Sequence, residues 1–300
     1  MLLFSDWDET ISNSDTLSLI APPWDMDTFP ERTSFSALAE AYVRDLEEHN
    51  LQHEKGTTLG DQLNFLDSLD AVELKSQDRV EKSQLFKGWN PVAADERARK
   101  LVEFRQGWSE AAAFIESRDA IQLHIISVGW SGRFIQTALA TPRGGSCTPH
   151  SICANEIELD CHGHLVGTGK LTKSKDASST PGRSGIRVAS DKQREMRRIR
   201  TQMDRAGKQI CVYAGDSNTD LACLLEVDVG LIFGEAESLL ATLERIGLGN
   251  CVNTPEEWLK RGGKLGKRDL HAREKVLVHV RNWQNALPIL VQLYKKDAKD

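Results

Sequence analysis

Three apolar runs along this chain share one design. "LLFS" precedes Asp6, "IQLHII" at 121–126 precedes Ser127, and "ICVYA" at 210–214 precedes "GDSNTD". Each stops abruptly in polar residues and glycine, which predicts a strand buried on both faces. Strands of that kind form parallel sheets, whose ligands bind beyond the carboxyl ends. Asp6, Ser127 and Asp216 are therefore candidates to converge from distant parts of the sequence.

Between the first two runs the pattern changes period. "SFSALAEAYVRDLEEHN" repeats Leu38, Tyr42 and Leu46 at helical spacing, and "TTLGDQLNFLDSLDAVEL" repeats Leu59, Leu63 and Leu66 behind Thr57 or Thr58 as N-cap. Residues 92–118 read as helical again, with Trp108, Ala112 and Ile115 on one face. Strand signal is almost absent from 14 to 104, so this stretch is expected to be an all-helical insertion, a lobe over the sheet edge. The predicted architecture is an α/β core of residues 1–13 and 105–300 around a parallel sheet, with a helical cap of residues 14–104.

Downstream, "GWSGRFIQTALA" predicts a helix behind Ser131, and "ANEIELDCHGHLVGTGK" alternates and turns at His162–His164, the signal of a hairpin. Residues 170–191 are rich in Ser, Gly, Pro and Lys and read as a mobile loop. "KQREMRRIRTQM" resumes a basic helix, "DVGLIF" at 228–233 offers a strand, "ESLLATLERIG" a helix, and the chain closes on a helix with a charged tail.

Composition narrows the function classes. Over 300 residues, 40% are hydrophobic and 27% charged, with a formal net charge of -6. An acidic surface is poorly suited to a nucleic-acid backbone or anionic lipid, so small-molecule or protein partners are expected. No stretch approaches the roughly 20 apolar residues that span a bilayer. The start of the chain has no basic flank and h-region, which points to the cytosol or the nucleus. The six cysteines include no C-x-x-C pair and read as reduced thiols. Cys147, His150, Cys153, Cys161, His162 and His164 form a group with zinc-type ligands, but their spacings match no usual pattern. A loop and hairpin with incidental Cys and His is the preferred reading.

The candidate chemistry starts with two acids, Asp6 and Asp8, one residue apart at the end of the first strand. A calcium loop beginning at Asp6 would require glycine and glutamate where Ile11 and Leu17 stand, so that reading fails. The remaining motifs are the D-x-D-x-T of Asp6, Asp8 and Thr10, the strand-ending Ser127, a lysine ahead of a helix, best placed at Lys192, and the G-D-x-x-x-D of Gly215, Asp216 and Asp220. Lys170, Lys173 and Lys175 lie close by as rivals to Lys192. Together, and in this order, these motifs resemble the haloacid dehalogenase superfamily of aspartate-nucleophile phosphohydrolases. The insertion between the first two motifs resembles its C1-capped branch, which includes phosphoserine phosphatase, and "DETISNSDTLSLI" and "ANEIELDCHGHLVG" look similar to uncharacterised fungal members.

That resemblance implies a Rossmann-like core and hydrolysis of a small phosphorylated metabolite through an aspartyl-phosphate. Asp6 is then the nucleophile and Asp8 the acid and base, with Ser127 and Lys192 holding phosphate. Mg²⁺ is implied on the Asp6 side chain, the Asp8 carbonyl and the Asp216 side chain, since hard oxygen ligands suit it. Thr10, Gly129, Asn218 and Asp220 take supporting places. The segment Ser12–Asp15 and the tryptophans Trp24, Trp89 and Trp130 are candidates to meet the leaving group, Asp15 by pairing an amine and Trp130 by stacking; Asp15 is equally a helix cap. A mutase of the same superfamily, or a binding protein without turnover, are the alternatives.

Overall fold

The computed structural model describes residues 1–23, 33–160, 165–173, 176–177, 185–204 and 207–298. Seven strands form one parallel sheet: β1 (Leu2–Ser5), β2 (Gln122–Ile126), β3 (Ser151–Cys153), β6 (Cys211–Gly215), β7 (Val229–Phe233), β8 (Val252–Asn253) and β9 (Leu277–Val280), in the spatial order β3-β2-β1-β6-β7-β9-β8. The hairpin β4 (Asn155–Asp160) and β5 (Val166–Lys173) stands apart. β1 lies between β2 and β6, with Ser5 level with Ile125 on one side and Ala214 on the other. The chain order reverses at that point, so the ends of β1, β2 and β6 open onto a shared crevice.

Alternation along β1 explains its double burial. Leu3 packs on one face with Leu123, Ile125, Val212 and Leu231, while Leu2 and Phe4 pack on the other with Ile126, Tyr213 and Leu277. Each such fully buried side chain contributes roughly 1.5–3 kcal/mol over exposure. Helices cover both faces, and three strands that the apolar pattern did not signal, β3, β8 and β9, complete the edges.

Between β1 and β2 lie α1 (Leu17–Ile20), α2 (Phe35–Gln52), α3 (Leu59–Ser68), α4 (Asp70–Lys82), α5 (Pro91–Leu101) and α6 (Trp108–Glu116). Thr58 caps α3 in a reciprocal box with Asp61. The single helical run expected from 57 onward divides at Leu69 into α3 and α4. The run expected over 92–118 likewise divides. Its break has two causes: residues 12 and 104 pair as an antiparallel bridge, and Gly107 adopts φ +82° where a Cβ would sit 2.4 Å from the Gln284 nitrogen. The chain thus leaves and re-enters the sheet layer side by side, with Asn13 N–H bonded to Glu103 and Arg105 N–H to Ile11.

The remaining helices are α7 (Gly132–Leu139), α8 (Ala189–Met203), α9 (Leu221–Leu224), α10 (Glu237–Arg245), α11 (Pro255–Lys260) and α12 (Trp283–Asp297). The expected loop at 170–191 is shorter than its composition suggested, because residues 170–173 finish β5 and 189–191 open α8. The β4–β5 hairpin docks on the helical insertion: Gly88 N–H bonds to the Gly167 carbonyl, and Leu171 N–H to Glu81. Its turn, with Cys161, His162 and His164, lies outside the described residues. Cys147 sits beside Glu116 and Cys153 beside Arg198, and among the described residues neither belongs to a group of three metal-capable side chains.

Candidate active site

The segment after β1 is held from several directions. Trp7 is fully buried and its indole N–H donates to Thr16 Oγ1, as its bulk between two acids predicts. The backbone turns back at once, with Ile11 and Ser12 N–H both bonded to the Trp7 carbonyl and Glu9 at φ +55°. Trp283, packed against Trp108 and Phe233, donates its indole N–H to the Thr10 carbonyl. These anchors fix the course of the loop that carries Asp8 and Thr10.

There the distant motifs meet. Asp6 Oδ1 accepts from Trp7 N–H at 2.7 Å, and Oδ2 lies 2.7 Å from Lys192 Nζ. The same ammonium, with a fully buried side chain, lies 2.8 Å from Asp220 Oδ1. Asp220 also accepts from Tyr213 O–H, and its Oδ2 from the Ser217 N–H. Gly215 permits this packing, since a Cβ there would approach Asp220 Cγ to 2.5 Å. Thr10 Oγ1 donates to Asp216 Oδ1 at 2.9 Å, tying the first motif to the fourth.

Asp8 is oriented by one residue that the sequence did not single out. Thr16 donates both its N–H and its hydroxyl to Asp8 Oδ1, at 2.8 and 2.7 Å. That leaves Oδ2 directed toward Gly129, whose missing Cβ would stand 3.6 Å from it and 3.0 Å from Ser127 Oγ. Ser127, fully buried at the end of β2, accepts the Gly129 N–H at 2.9 Å. Asp6, Asp8, Thr10, Ser127, Gly129, Lys192, Asp216 and Asp220 are thus brought to one place. The rival lysine Lys170 is an exposed residue of β5, and Lys175 lies outside the described residues.

The electrostatics are those of crowded acids. Burial pushes Asp6 up to about 7 against the pull of Lys192, Asp8 up to about 8 against its Thr16 donors, and Asp216 up to about 8 with help from Asp220 and Asp6. Burial opposes the Lys192 charge, yet Asp220 and Asp6 hold its pKa well above the ordinary range. One oxygen from each of Asp6, Asp216 and Asp220 lies within 4.8 Å of the others, the one group of three metal-capable side chains among the described residues. Asp220 is the most heavily engaged of the three, by Lys192, Tyr213 and Ser217, so Asp6 and Asp216 are the better ligands. One ammonium against three carboxylates leaves negative charge that a hard divalent cation would balance, and the all-oxygen donor set suits Mg²⁺.

Two cavities adjoin this crevice. One of about 680 Å³ is lined by Glu9, Arg105, Asp216, Asn218 and Gly234, among others. Asn218 donates to Ser238 while its buried Oδ1 has no partner among the described residues. The second, about 250 Å³, takes Asp15 and Trp130 into its wall. Asp15 Oδ1 also accepts the Leu17 N–H at 2.8 Å, although the N-cap of α1 is Thr16 and Asp15 stands one residue before it. Of the other tryptophans proposed as walls, Trp89 is core, with its indole N–H on the Ile20 carbonyl, and Trp24 lies outside the described residues. Ser12 turns inward to the Trp7 and Ser14 carbonyls. Nothing in the pattern marks Thr16, Phe35, Glu73 or Arg187, and Tyr42 shows there only as part of a helical repeat; a tyrosine within a short buried strand is the one signal available, for Tyr213.

No protein-family model matches the chain. It is 27% identical over 272 residues to the CTO1 family protein C17G9.12c of Schizosaccharomyces pombe, a match covering 88% of this chain and 94% of that one. Over 176 residues it is 24% identical to the mitochondrial bifunctional TH2 protein of Arabidopsis thaliana, covering 58% of this chain but 26% of that protein. Among solved structures, cytosolic 5'-nucleotidase IIIB bound to cytidine superposes with a TM-score of 0.52 at 11% identity, over 100% of this chain and 86% of that one. A phosphoserine phosphatase gives a TM-score of 0.49 at 15% identity, over 96% and 97%. With its parallel sheet, the helices inserted after β1 and the likeness to the nucleotidase, the chain has the haloacid dehalogenase fold.

Proposed function

We propose that this protein is a Mg²⁺-dependent phosphomonoesterase acting on a small phosphorylated metabolite through an aspartyl-phosphate. The observation that carries the reading is the meeting of Asp6, Asp216 and Asp220 around the Lys192 ammonium, with Asp8 and Ser127 alongside. Phosphoryl transfer asks chiefly for positioning and charge neutralisation, and these residues supply both.

An Asp6 carboxylate oxygen attacks phosphorus, the bond from phosphorus to the ester oxygen breaks, and Asp8 gives its proton to the departing alkoxide. Water then attacks the aspartyl-phosphate, yields its proton to Asp8, and releases phosphate with Asp6 restored. Asp8 suits this role because Thr16 saturates Oδ1 and leaves Oδ2 to carry the proton on the side of Ser127 and Gly129. Its burial favours the protonated form at the start. Lys192 and the Ser127 hydroxyl are placed to hold phosphate oxygens. Asp6, Asp216 and the Asp8 carbonyl would hold Mg²⁺, which when bound neutralises charge on the transferring group.

The test is hydrolysis of p-nitrophenyl phosphate with and without Mg²⁺. Turnover that requires the metal and vanishes in Asp6→Asn is expected. Undiminished turnover in that variant removes Asp6 as nucleophile.

A further inference from the structure

The cavity of about 250 Å³ is walled by residues that flank the proposed catalytic motifs. Val128 and Trp130, on either side of Gly129, line it, as does Thr219, which precedes Asp220. Asp15 lines it too and lies close enough to Asp8 for the two charges to interact. Val128 and Thr219 thus join this wall to the neighbouring Ser127 and Asp220 of the proposed phosphate site.

We propose that the cavity receives a leaving group bearing a positively charged nitrogen, a quaternary ammonium or a cationic heteroaromatic ring. This rests on the phosphomonoesterase reading and names its substrate class. Trp130 and Phe35, with centroids 6.1 Å apart and planes at 82°, make an aromatic corner, and Tyr42 extends it. Ring faces attract cations through their quadrupoles. Two carboxylates complete the wall: Glu73, which accepts the Tyr42 O–H at 2.6 Å, and Asp15, whose Oδ1 takes the Leu17 N–H.

The one cationic side chain of the lining, Arg187, is engaged by Asp70, its Nε 2.8 Å from Asp70 Oδ1. Arg187 also attracts Glu73, and with Asp15 and Glu73 both in the wall the acids outnumber it. A neutral apolar group would take water from Asp15 and Glu73, already bonded to the Leu17 N–H and the Tyr42 O–H, and bring no charge to balance them, which costs free energy. An anionic group would meet two like charges. A cation satisfies the rings and the acids together.

The discriminating experiment compares phosphocholine with 3,3-dimethylbutyl phosphate, which replaces the charged nitrogen by carbon at nearly equal shape. The expected kcat/KM ratio is about tenfold or more in favour of phosphocholine, an effect in the range of a desolvated cation–π contact with a carboxylate nearby. Asp15→Asn and Trp130→Leu should each shrink that ratio several-fold. Equal turnover of the two esters by wild-type protein that hydrolyses p-nitrophenyl phosphate overturns the cation assignment and leaves the phosphomonoesterase reading standing. Absence of any ester hydrolysis counts against the phosphomonoesterase reading. Calorimetric binding of choline against 3,3-dimethylbutanol then decides the cavity's preference, with tighter binding of choline supporting it and equal binding refuting it.

Discussion

Lys192 Nζ sits 2.7 Å from Asp6 Oδ2 and 2.8 Å from Asp220 Oδ1, a single buried ammonium shared by two acids that follow the adjacent strands β1 and β6. Its removal leaves two desolvated carboxylates unpaired. Lys192→Met is expected to lower stability by about 3–5 kcal/mol, the usual cost of breaking a buried pair from one side. Urea unfolding measures it, and a loss below ~1 kcal/mol would contradict the role of this lysine as the shared counter-charge.

Asp8→Asn separates the two chemical steps. Asparagine Oδ1 can still accept both Thr16 donors, so the loop keeps its shape. With alkyl phosphates kcat should fall by roughly 10²–10⁴, the usual contribution of general acid–base catalysis. With p-nitrophenyl phosphate, whose leaving group needs no proton, a burst of nitrophenol followed by slow turnover is the expected trace in rapid mixing. Equal losses on both substrates, without a burst, would contradict the assignment of Asp8.

Gly215→Ala tests the packing beneath the site. The added methyl would stand 2.5 Å from Asp220 Cγ and 2.7 Å from its Oδ2. Overpacking of this kind costs about 1–3 kcal/mol, and displacing Asp220 also shifts Lys192. Thermal unfolding and aryl-phosphate turnover should fall together in this variant. Wild-type values for both would show that Asp220 moves without consequence.

Metal binding should be visible without catalysis. Burial and mutual repulsion raise Asp6 and Asp216 in the metal-free protein, so a divalent cation relieves strain as well as adding contacts. At a hundredfold excess over Kd, Mg²⁺ should add about 2.7 kcal/mol of stability. Differential scanning calorimetry would record a rise in Tm in the wild type and little or none in Asp216→Asn.

His124 provides a pH dependence away from the chemistry. It is buried on β2, stacked on Phe4, with Nδ1 2.8 Å from Ser151 Oγ and no partner for Nε2 among the described residues. Burial, with His150 and Arg198 nearby, lowers its pKa from 6.5 to about 4. A depressed histidine stabilises the fold fully above the unfolded pKa and loses that contribution as the pH falls from 6.5 through 4. The loss amounts to about 3 kcal/mol. The stability difference between wild type and His124→Gln should shrink over this window, and a difference constant in pH would rule the effect out.

Much of the site was legible from local pattern. Asp6, Ser127 and Asp216 each follow an apolar run, and that burial pattern with its abrupt polar ending is a property of neighbouring residues alone. The edge strands were not legible. β3 and β8 span 3 and 2 residues, too few for a period to emerge, and their strand character comes from hydrogen bonds to β2 and β9. The helical run at 92–118 misled for a related reason. Nothing within "VEFRQG" announces that residue 104 will pair with residue 12.

The sequence by itself determined the buried strands, the helical character of the insertion and the acids at the strand ends, because burial on two faces and helical amphipathicity are written at short range. Tertiary structure alone decided which lysine meets Asp6, that Thr16 turns Asp8 Oδ2 toward Ser127, and that Phe35, Tyr42 and Glu73 share a cavity with Trp130. Apart from the short link between Thr16 and Asp8, those relations bring together segments dozens to hundreds of positions apart, and the order of strands in the sheet and the docking of helices set them. Side-chain periodicity carries no record of either.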